Sequence, residues 1–251
     1  MQGLTRNPLA SPSILGINAG AACFMALAAI GVPVLSGLPP IFNSVFGALL
    51  SGLVVMLLGG FFSARSHPLR LVLAGIAVSA LLIGLTRAAL ILADDMAYSV
   101  LHWLTGSLSS ADSKQWQQLW PPALLGLLLA MSLARNLNLL ALGEDVAIGL
   151  GSNIKLTRLL SGMTIVLLAG ASVAVAGPIG FVGLLIPHLV RPIVGHNYHL
   201  LIPICALAGA ALVTWSDALS RAIAFPTETP VGVITALLGT PCFILIAMRR
   251  A

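Results

Sequence analysis

The sequence contains few charged residues, and this shortage excludes a soluble globular protein. Charged residues make up 8% of the 251 positions, with 12 Lys+Arg and 7 Asp+Glu, whereas soluble domains contain roughly 25%. Hydrophobic residues make up 59% of the chain, and its mean hydropathy is +1.06. So few charges cannot cover the surface of a soluble globule, and so apolar a composition excludes disorder. The composition therefore predicts a polytopic membrane protein.

Cysteines and the common catalytic motifs are also scarce. The three cysteines, Cys23, Cys205 and Cys242, all lie in apolar stretches, which excludes a disulfide scaffold. The sequence contains no P-loop, so we do not expect it to bind ATP in that way. It also contains no His-Glu-x-x-His, Cys-x-x-Cys or EF-hand pattern. We therefore expect no catalytic residues, metal site or cofactor in this chain.

Eight apolar segments reach or approach the length of about 20 residues that a membrane-spanning helix needs. They are 13–35, 41–62, 71–93, 119–133, 159–176, 181–194, 200–225 and 231–248. We place the start of the fourth segment at a Trp-Pro-Pro sequence. The predicted fold is all-α, with one transmembrane domain over 1–251. The two longest connections are an outer loop of about 94–118 and an inner segment of about 134–158.

The fifth and sixth segments belong to one uncharged stretch, which we predict to break at Gly177-Pro178-Ile179-Gly180. Proline removes a backbone donor and glycine relaxes the dihedral limits, so a helix should end there. Broken backbone at membrane depth persists only where protein or a water-filled cavity covers it, and such a break is often functional. A simple helical hairpin with an outer loop explains the same residues equally well.

The positive charges, which give a net charge of +5, predict the orientation in the membrane. They are scattered rather than gathered on one face, so they do not indicate a nucleic-acid binder. With both termini in the cytoplasm, most cations lie inside, as the positive-inside rule requires. The inner cations are Arg6, Arg65, Arg70, Arg135, Lys155, Arg158, Arg191, Arg249 and Arg250. Arg87, Lys114 and Arg221 lie towards the outside.

Two groups of polar residues are candidates for contacts with other proteins. Residues 139–151 read as a short helix that ends at a glycine, with Glu144 and Asp145 in its first turn. A docking helix and any ordered loop would both look like this, and the residues alone favour the loop. Asp217 and Arg221 lie four positions apart, so they share a helix face and can pair. Arg221 can equally be an exposed cation that docks a partner.

Three stretches of the sequence resemble the FecCD-type permeases, which import iron-siderophores and cobalamin. Residues 6–21 (RNPLASPSILGINAGA) resemble the loop after the second helix of that family. Residues 177–191 (GPIGFVGLLIPHLVR) resemble its most recognisable stretch, and residues 230–243 (PVGVITALLGTPCF) are similar to its last helix. The similarity covers essentially the whole chain in order. Within the family, 73–87 and 92–98 most resemble the ferric citrate permease subunits.

The resemblance implies a permease subunit of an ATP-driven importer of ferric chelates, ferric citrate or another iron-siderophore, in the bacterial inner membrane. Its implied partners are an ATP-binding subunit, which hydrolyses the ATP, a second permease subunit, a periplasmic substrate-binding protein and membrane lipid. The implied ATPase-coupling residues are Leu142, Gly143, Glu144, Asp145, Ala147 and Gly151. The implied residues for docking the binding protein are Arg221 and Glu228. The implied gating residues at the broken helix are Gly177, Pro178, Gly180 and Pro187.

One departure from the family concerns the first two of its roughly ten helices, which have no counterpart in 1–251. A truncated, non-transporting remnant or an assembly subunit of such a transporter is therefore the alternative reading. Two further apolar spans, in frame and upstream, would favour the permease.

Overall fold

A computed structural model describes residues 1–8, 10–60, 68–92, 97–109, 111–223 and 229–248. Within these residues the chain forms thirteen α-helices and no strand, which confirms the predicted all-α class. The helices are α1 (Gln2–Thr5), α2 (Ile17–Ala29), α3 (Pro33–Ser36), α4 (Pro40–Leu58), α5 (Pro68–Leu92), α6 (Ala97–Leu104), α7 (Ser113–Ser132), α8 (Ala134–Ala141), α9 (Glu144–Gly149), α10 (Ile154–Ala176), α11 (Val182–Val194), α12 (Tyr198–Ile223) and α13 (Val231–Met248). Each of the eight predicted spans contains or overlaps one of the longer helices.

The helices differ in their capacity to cross a membrane. In the part of the chain that the structure describes, α4, α5, α10 and α12 are each long and apolar enough. α7 and α8 together are also long and apolar enough, although the pair is bent by 46°. They form a fifth crossing if they are one span. The other predicted spans correspond to shorter apolar helices in α2, α11 and α13. A helix of 13 residues, such as α2 or α11, is about 20 Å long, against a hydrocarbon core of about 30 Å.

The predicted start of α7 was wrong because a capping residue, and not the proline pair, determines it. The helix begins at Ser113, where Oδ1 of Asp112 accepts a hydrogen bond from the N–H of Gln115 at 2.7 Å. Such a cap satisfies one of the N–H groups that have no partner in the first turn. Pro121 and Pro122 lie inside the helix and do not start it.

Two further predicted boundaries were also wrong, one because of a cap and one because of a turn. α10 begins at Ile154, five residues before the predicted start, because Oδ1 of Asn153 accepts from the N–H of Leu156 at 3.1 Å and caps the helix. The first predicted span, 13–35, contains two helices and not one. α2 ends before Gly31, whose φ of 79° turns the chain towards α3. Hydropathy alone does not detect such a turn.

The core of the bundle lies between α2, α4 and α10, where small residues let the helices approach closely. A Cβ on Gly20 of α2 would overlap the carbonyl oxygen of Gly47 on α4. Ser44 on α4 donates from Oγ to the carbonyl oxygen of Gly170 on α10 at 2.7 Å. Close approach of small residues is a common way for membrane helices to associate. By contrast, only 11% of the most apolar 18-residue stretch of α12 is buried, so α12 lies at the periphery.

Candidate functional site

The segment predicted to be one short helix is two helices, α8 and α9, joined at Leu142 and Gly143. Gly143 has φ 122° and ψ 154°, a backbone conformation that is essentially confined to glycine. Side-chain Cβ sterics exclude most other residues from this conformation, which is not helical and therefore separates α8 from α9. The prediction of a single helix over this segment was therefore wrong.

The end of α9 follows the predicted pattern of a helix closed by glycine. Gly151 has φ 81°, and its N–H donates to the carbonyl oxygen of Ile148 at 2.9 Å. The N–H of Ser152 donates to the carbonyl oxygen of Ala147, also at 2.9 Å. These two bonds form a Schellman motif, which requires a left-handed residue where Gly151 lies.

The surface of α9 is divided between one buried residue and a broad exposed face. Ala147 is completely buried and seats the helix on the rest of the molecule. The exposed apolar side chains are Leu142, Val146, Ile148 and Leu150, of which Leu142 and Ile148 are 66% and 60% accessible. Asp145 is exposed beside them. An exposed apolar patch with a polar rim is typical of a protein-binding surface.

Glu144 is held by two arginines from other parts of the chain. Its Oε1 accepts a hydrogen bond from Nη2 of Arg158 at 2.6 Å and another from Nη2 of Arg6. Arg158 lies in the first turns of α10 with its side chain only 15% exposed, and Arg6 follows α1. One carboxylate therefore joins three segments. The two neighbouring acids differ: Glu144 faces the protein, whereas Asp145 faces outwards.

The predicted break between α10 and α11 is present, and it lies at the opposite end of α10 from α9. α10 ends at Ala176, and Gly177 has φ 70° and ψ −178°. A Cβ on Gly177 would overlap the carbonyl oxygen of Trp103, at the end of α6. The N–H of Ser107 donates to the carbonyl oxygen of Ala176 at 3.0 Å. Gly177 is thus required both for its backbone conformation and for space.

A third element joins the break through two further glycines. The N–H of Gly232, near the start of α13, donates to the carbonyl oxygen of Gly106 at 3.1 Å. A Cβ on Gly232 would overlap the carbonyl oxygen of Thr105. Gly106 has φ 80°, and a Cβ there would lie 3.4 Å from the Cα of Gly232. The loop after α6, the break and the start of α13 therefore meet at backbone distance.

Phe181 at the start of α11 has a strained backbone. Its φ of 64° and ψ of −32° are accompanied by a bond of 2.8 Å from the N–H of Val182 to the carbonyl oxygen of Gly180. This three-residue turn with positive φ is rare and strained for a residue with a side chain. A Cβ on Gly239 of α13 would lie 2.6 Å from the Cβ of Phe181, so α13 also passes close to this turn.

The remaining predicted gating residues have different surroundings. Pro178 lies in the turn, where the N–H of Ile179 donates to the carbonyl oxygen of Gly177 at 3.0 Å. A Cβ on Gly180 would have open space around it. Pro187 lies inside α11 and lines a cavity of about 220 Å³. The structure therefore brings Gly177 to the junction and leaves Gly180 and Pro187 outside it.

The predicted pair near the end of α12 is present. Nε of Arg221 donates to Oδ2 of Asp217 at 2.9 Å, and their side chains are 49% and 24% exposed. Glu228, the second residue implied for docking, lies outside the described residues.

Sequence reasoning missed four residues of these sites. Arg6 and Arg158 were assigned to the inner side but not to Glu144, and Gly106 and Gly232 were not assigned at all. The contacts of Arg6 with Glu144 and of Gly106 with Gly232 join residues more than a hundred positions apart. Only the positive-inside bias, which placed the arginines and Glu144 on one side, pointed to any of these contacts.

Comparisons with known proteins agree with this architecture. The model of the FecCD transport family matches residues 1–249. The chain is 44% identical to the Fe(3+) dicitrate transport system permease protein FecC of Escherichia coli (strain K12), covering 100% of this chain and 76% of that protein. It is 42% identical to the Fe(3+)-citrate import system permease protein YfmD of Bacillus subtilis (strain 168), covering 99% and 74%.

A solved structure has the same fold. It is a metal-chelate type ABC transporter in an inward-facing conformation, which matches with a TM-score of 0.83 and 32% identity over 99% of this chain and 79% of that one. The fold and the comparisons together define a multi-pass membrane permease subunit. The chain belongs to the FecCD transport family.

Proposed function

We propose that this permease subunit imports a ferric chelate, and that the chelate is ferric citrate. The observation that supports this substrate is the name shared by the two relatives described above. Two permeases named for ferric citrate, from two bacteria, are 44% and 42% identical to the chain. Permeases named for ferric hydroxamate and ferric enterobactin are 39% and 37% identical. A permease subunit supplies the pathway and performs no bond chemistry, so the iron chelate is its cargo.

The α8–α9 segment is the proposed contact with the ATP-binding subunit. Its exposed apolar side chains and Asp145 form a surface, while Glu144 and Ala147 fix the helix to the membrane domain. A rigid attachment is needed because movement of the ATPase must be transmitted and not absorbed by a loose loop. The break between α10 and α11 is the proposed gate, with Gly177 at its pivot. A second permease subunit completes the pathway.

The proposed location is the bacterial inner membrane, with both termini in the cytoplasm. Arg6, Arg158 and Lys155 lie at the α9 end of α10. Lys114 lies in the first turn of α7, near the opposite end of α10, where Gln115 lines the same cavity as Ala174. This distribution follows the positive-inside rule. Arg65, Arg249 and Arg250, which were also assigned to the inside, lie outside the described residues.

Cysteine labelling in intact cells tests the orientation. A Cys introduced at Lys114 should react with a membrane-impermeant maleimide, and one at Lys155 should react only after permeabilisation. Both side chains are exposed, so accessibility within the protein does not differ between them. Labelling at Lys155 from outside would overturn the proposed orientation.

The substrate is tested by reconstitution. The chain is purified with its ATP-binding subunit, partner permease and binding protein, and labelled ferric citrate uptake into proteoliposomes is measured. Uptake should require ATP and loaded binding protein, and excess unlabelled ferric citrate should compete while a ferric hydroxamate should not. Preferential uptake of the hydroxamate would contradict the proposed substrate.

A further inference from the structure

Two asparagines join α8 to the turn before α12, and none of the sites above uses them. Nδ2 of Asn138 on α8 donates to Oδ1 of Asn197 at 2.9 Å. Oδ1 of Asn138 accepts from the backbone N–H of Tyr198, also at 2.9 Å. The amide of Asn138 therefore uses its donor and its acceptor together on residues about sixty positions away. An amide side chain offers both groups in one plane.

These hydrogen bonds complete the N-terminal cap of α12. Asn197 immediately precedes the helix, and its Oδ1 accepts from the N–H of His199 at 3.1 Å. The first N–H groups of a helix have no partner within it, and side chains usually satisfy them locally. Here Asn138 satisfies the first one from a different helix. The start of α12 is therefore built partly from α8.

The turn that Asn138 holds connects directly to the break. α11 ends at Val194, and only Gly195 and His196 separate it from Asn197. Its other end begins directly after the strained Phe181. At 1.5 Å per residue, its 13 residues span about 20 Å. One helix, α11, thus connects the turn held by Asn138 to the turn at which α10, α11 and α13 meet.

We propose that Asn138 is a positioning residue, which ties the α8–α9 segment to the base of α11 so that movement imposed by the ATPase reaches the break. This rests on the proposed coupling role of that segment. Without the tie, α9 keeps its exposed surface and its ion pairs, so the ATPase still binds. Its displacement, however, is no longer transmitted to the turn before α12. Loss of Asn138 uncouples ATP hydrolysis from import and leaves assembly intact.

Three variants separate this role from a general effect on α8. Asn138→Leu removes both hydrogen bonds at nearly constant size, and Asn138→Asp keeps the acceptor for the Tyr198 N–H but loses the donor. Asn136→Leu makes the same exchange two positions earlier on the helix. Asn136 is half-buried and makes no side-chain hydrogen bond within the described residues, so it is the matched control.

The attachment is measured first, by hydrogen exchange of the first-turn amides of α12 in the assembled transporter. A side-chain cap contributes about 1 kcal/mol, which corresponds to about a five-fold change in an equilibrium. Exchange should rise about five-fold in Asn138→Leu, less in Asn138→Asp, and not in Asn136→Leu. Unchanged exchange in Asn138→Leu would overturn the attachment.

The coupling is measured second, as labelled ferric citrate taken up per ATP hydrolysed in proteoliposomes. The ratio should fall about five-fold in Asn138→Leu, with co-purification of the ATPase unchanged, and should stay at the wild-type value in Asn136→Leu. A wild-type ratio in Asn138→Leu, or an equal loss in the control, would overturn the positioning role. Absence of uptake by the wild type would contradict the proposed substrate instead, and the exchange result would then decide the attachment by itself.

Discussion

The two ends of α10 hold their neighbours by different kinds of contact. At the α9 end the contacts are made by side chains, with Glu144 bound to Arg6 and Arg158. At the break they are made by backbone, with Gly177 and Gly232 so close to carbonyl oxygens that neither has room for a Cβ. In the described part of the chain, two residues other than glycine have positive φ. Arg6 lies at the α9 end, and Phe181 lies at the break.

This difference determines how each end responds to substitution. A side-chain contact between partly exposed charges contributes about 1 kcal/mol, and its loss leaves the helix packing in place. A backbone contact has no side chain that can adjust, so an added methyl group forces the elements apart. The α9 end is therefore tunable, whereas Gly177 and Gly232 at the break are nearly intolerant of an added side chain. Such a fixed point is what a pivot between helices requires.

The largest effect is expected from Gly177→Ala. The alanine would have a backbone conformation that is essentially restricted to glycine, and its Cβ would overlap the Trp103 carbonyl oxygen. Strain and overlap together predict a loss of about 3 kcal/mol, measured as a fall in melting temperature of the purified protein. Gly180→Ala in the same turn is the control, because its Cβ meets open space and its loss should stay below about 0.5 kcal/mol. Equal losses in the two variants would show that the junction is not closely packed.

A smaller effect is expected from Glu144→Gln. The amide keeps the size of the side chain but removes the charge that pairs with Arg158, whose side chain is mostly buried. We expect a stability loss of about 1–2 kcal/mol and a weaker stimulation of ATPase activity by loaded binding protein.

Asp145→Asn is the matched control on the next residue. Asp145 is exposed and forms none of the ion pairs found within the described residues, so its loss of stability should stay below about 0.5 kcal/mol. Equal destabilisation by both variants would contradict the different roles of these two acids.

Two glycines at the α9 end allow the effect of backbone conformation on stability to be measured apart from steric overlap. Neither Gly149 nor Gly151 has an atom within 4 Å of an added Cβ, but only Gly151 has positive φ. Gly151→Ala should therefore cost about 1 kcal/mol through backbone strain alone. Gly149→Ala, within the helix, should be stabilising by up to about 1 kcal/mol. Thermal unfolding of both variants measures the difference, and a loss in Gly149→Ala would indicate an unrecognised contact.

The smallest effect on stability is expected at Asp217 and Arg221. An exposed pair at this spacing contributes about 0.3–0.5 kcal/mol, so Asp217→Asn with Arg221→Gln should leave the melting temperature nearly unchanged. If Arg221 docks the binding protein, as the family resemblance implies, Arg221→Glu should weaken that association about two- to five-fold at low salt, and less at high salt. An affinity equal to wild type at low salt would leave only the structural pair.

The sequence by itself determined the features that depend on neighbouring residues. Spans follow from runs of apolar residues, the break from Gly177-Pro178, the end of α9 from Gly151, and the Asp217–Arg221 pair from a spacing of four. All are local because helix geometry relates each residue only to those three to five positions away. The family resemblance had the same basis, since its motifs are contiguous, and the comparison over 1–249 confirms it.

Only the tertiary structure decided what faces what across the bundle. The sequence placed Glu144 and Asp145 together as a docking pair, but folding brings two arginines against the first and leaves the second exposed. Folding likewise brings Gly106 next to Gly232. Hydropathy does not distinguish either residue from any other glycine. In an apolar chain, many helix faces look alike in sequence, because lipid and protein interiors accept the same side chains. Which face meets a neighbour is then settled by packing and by a few polar contacts, and these join residues far apart in the chain.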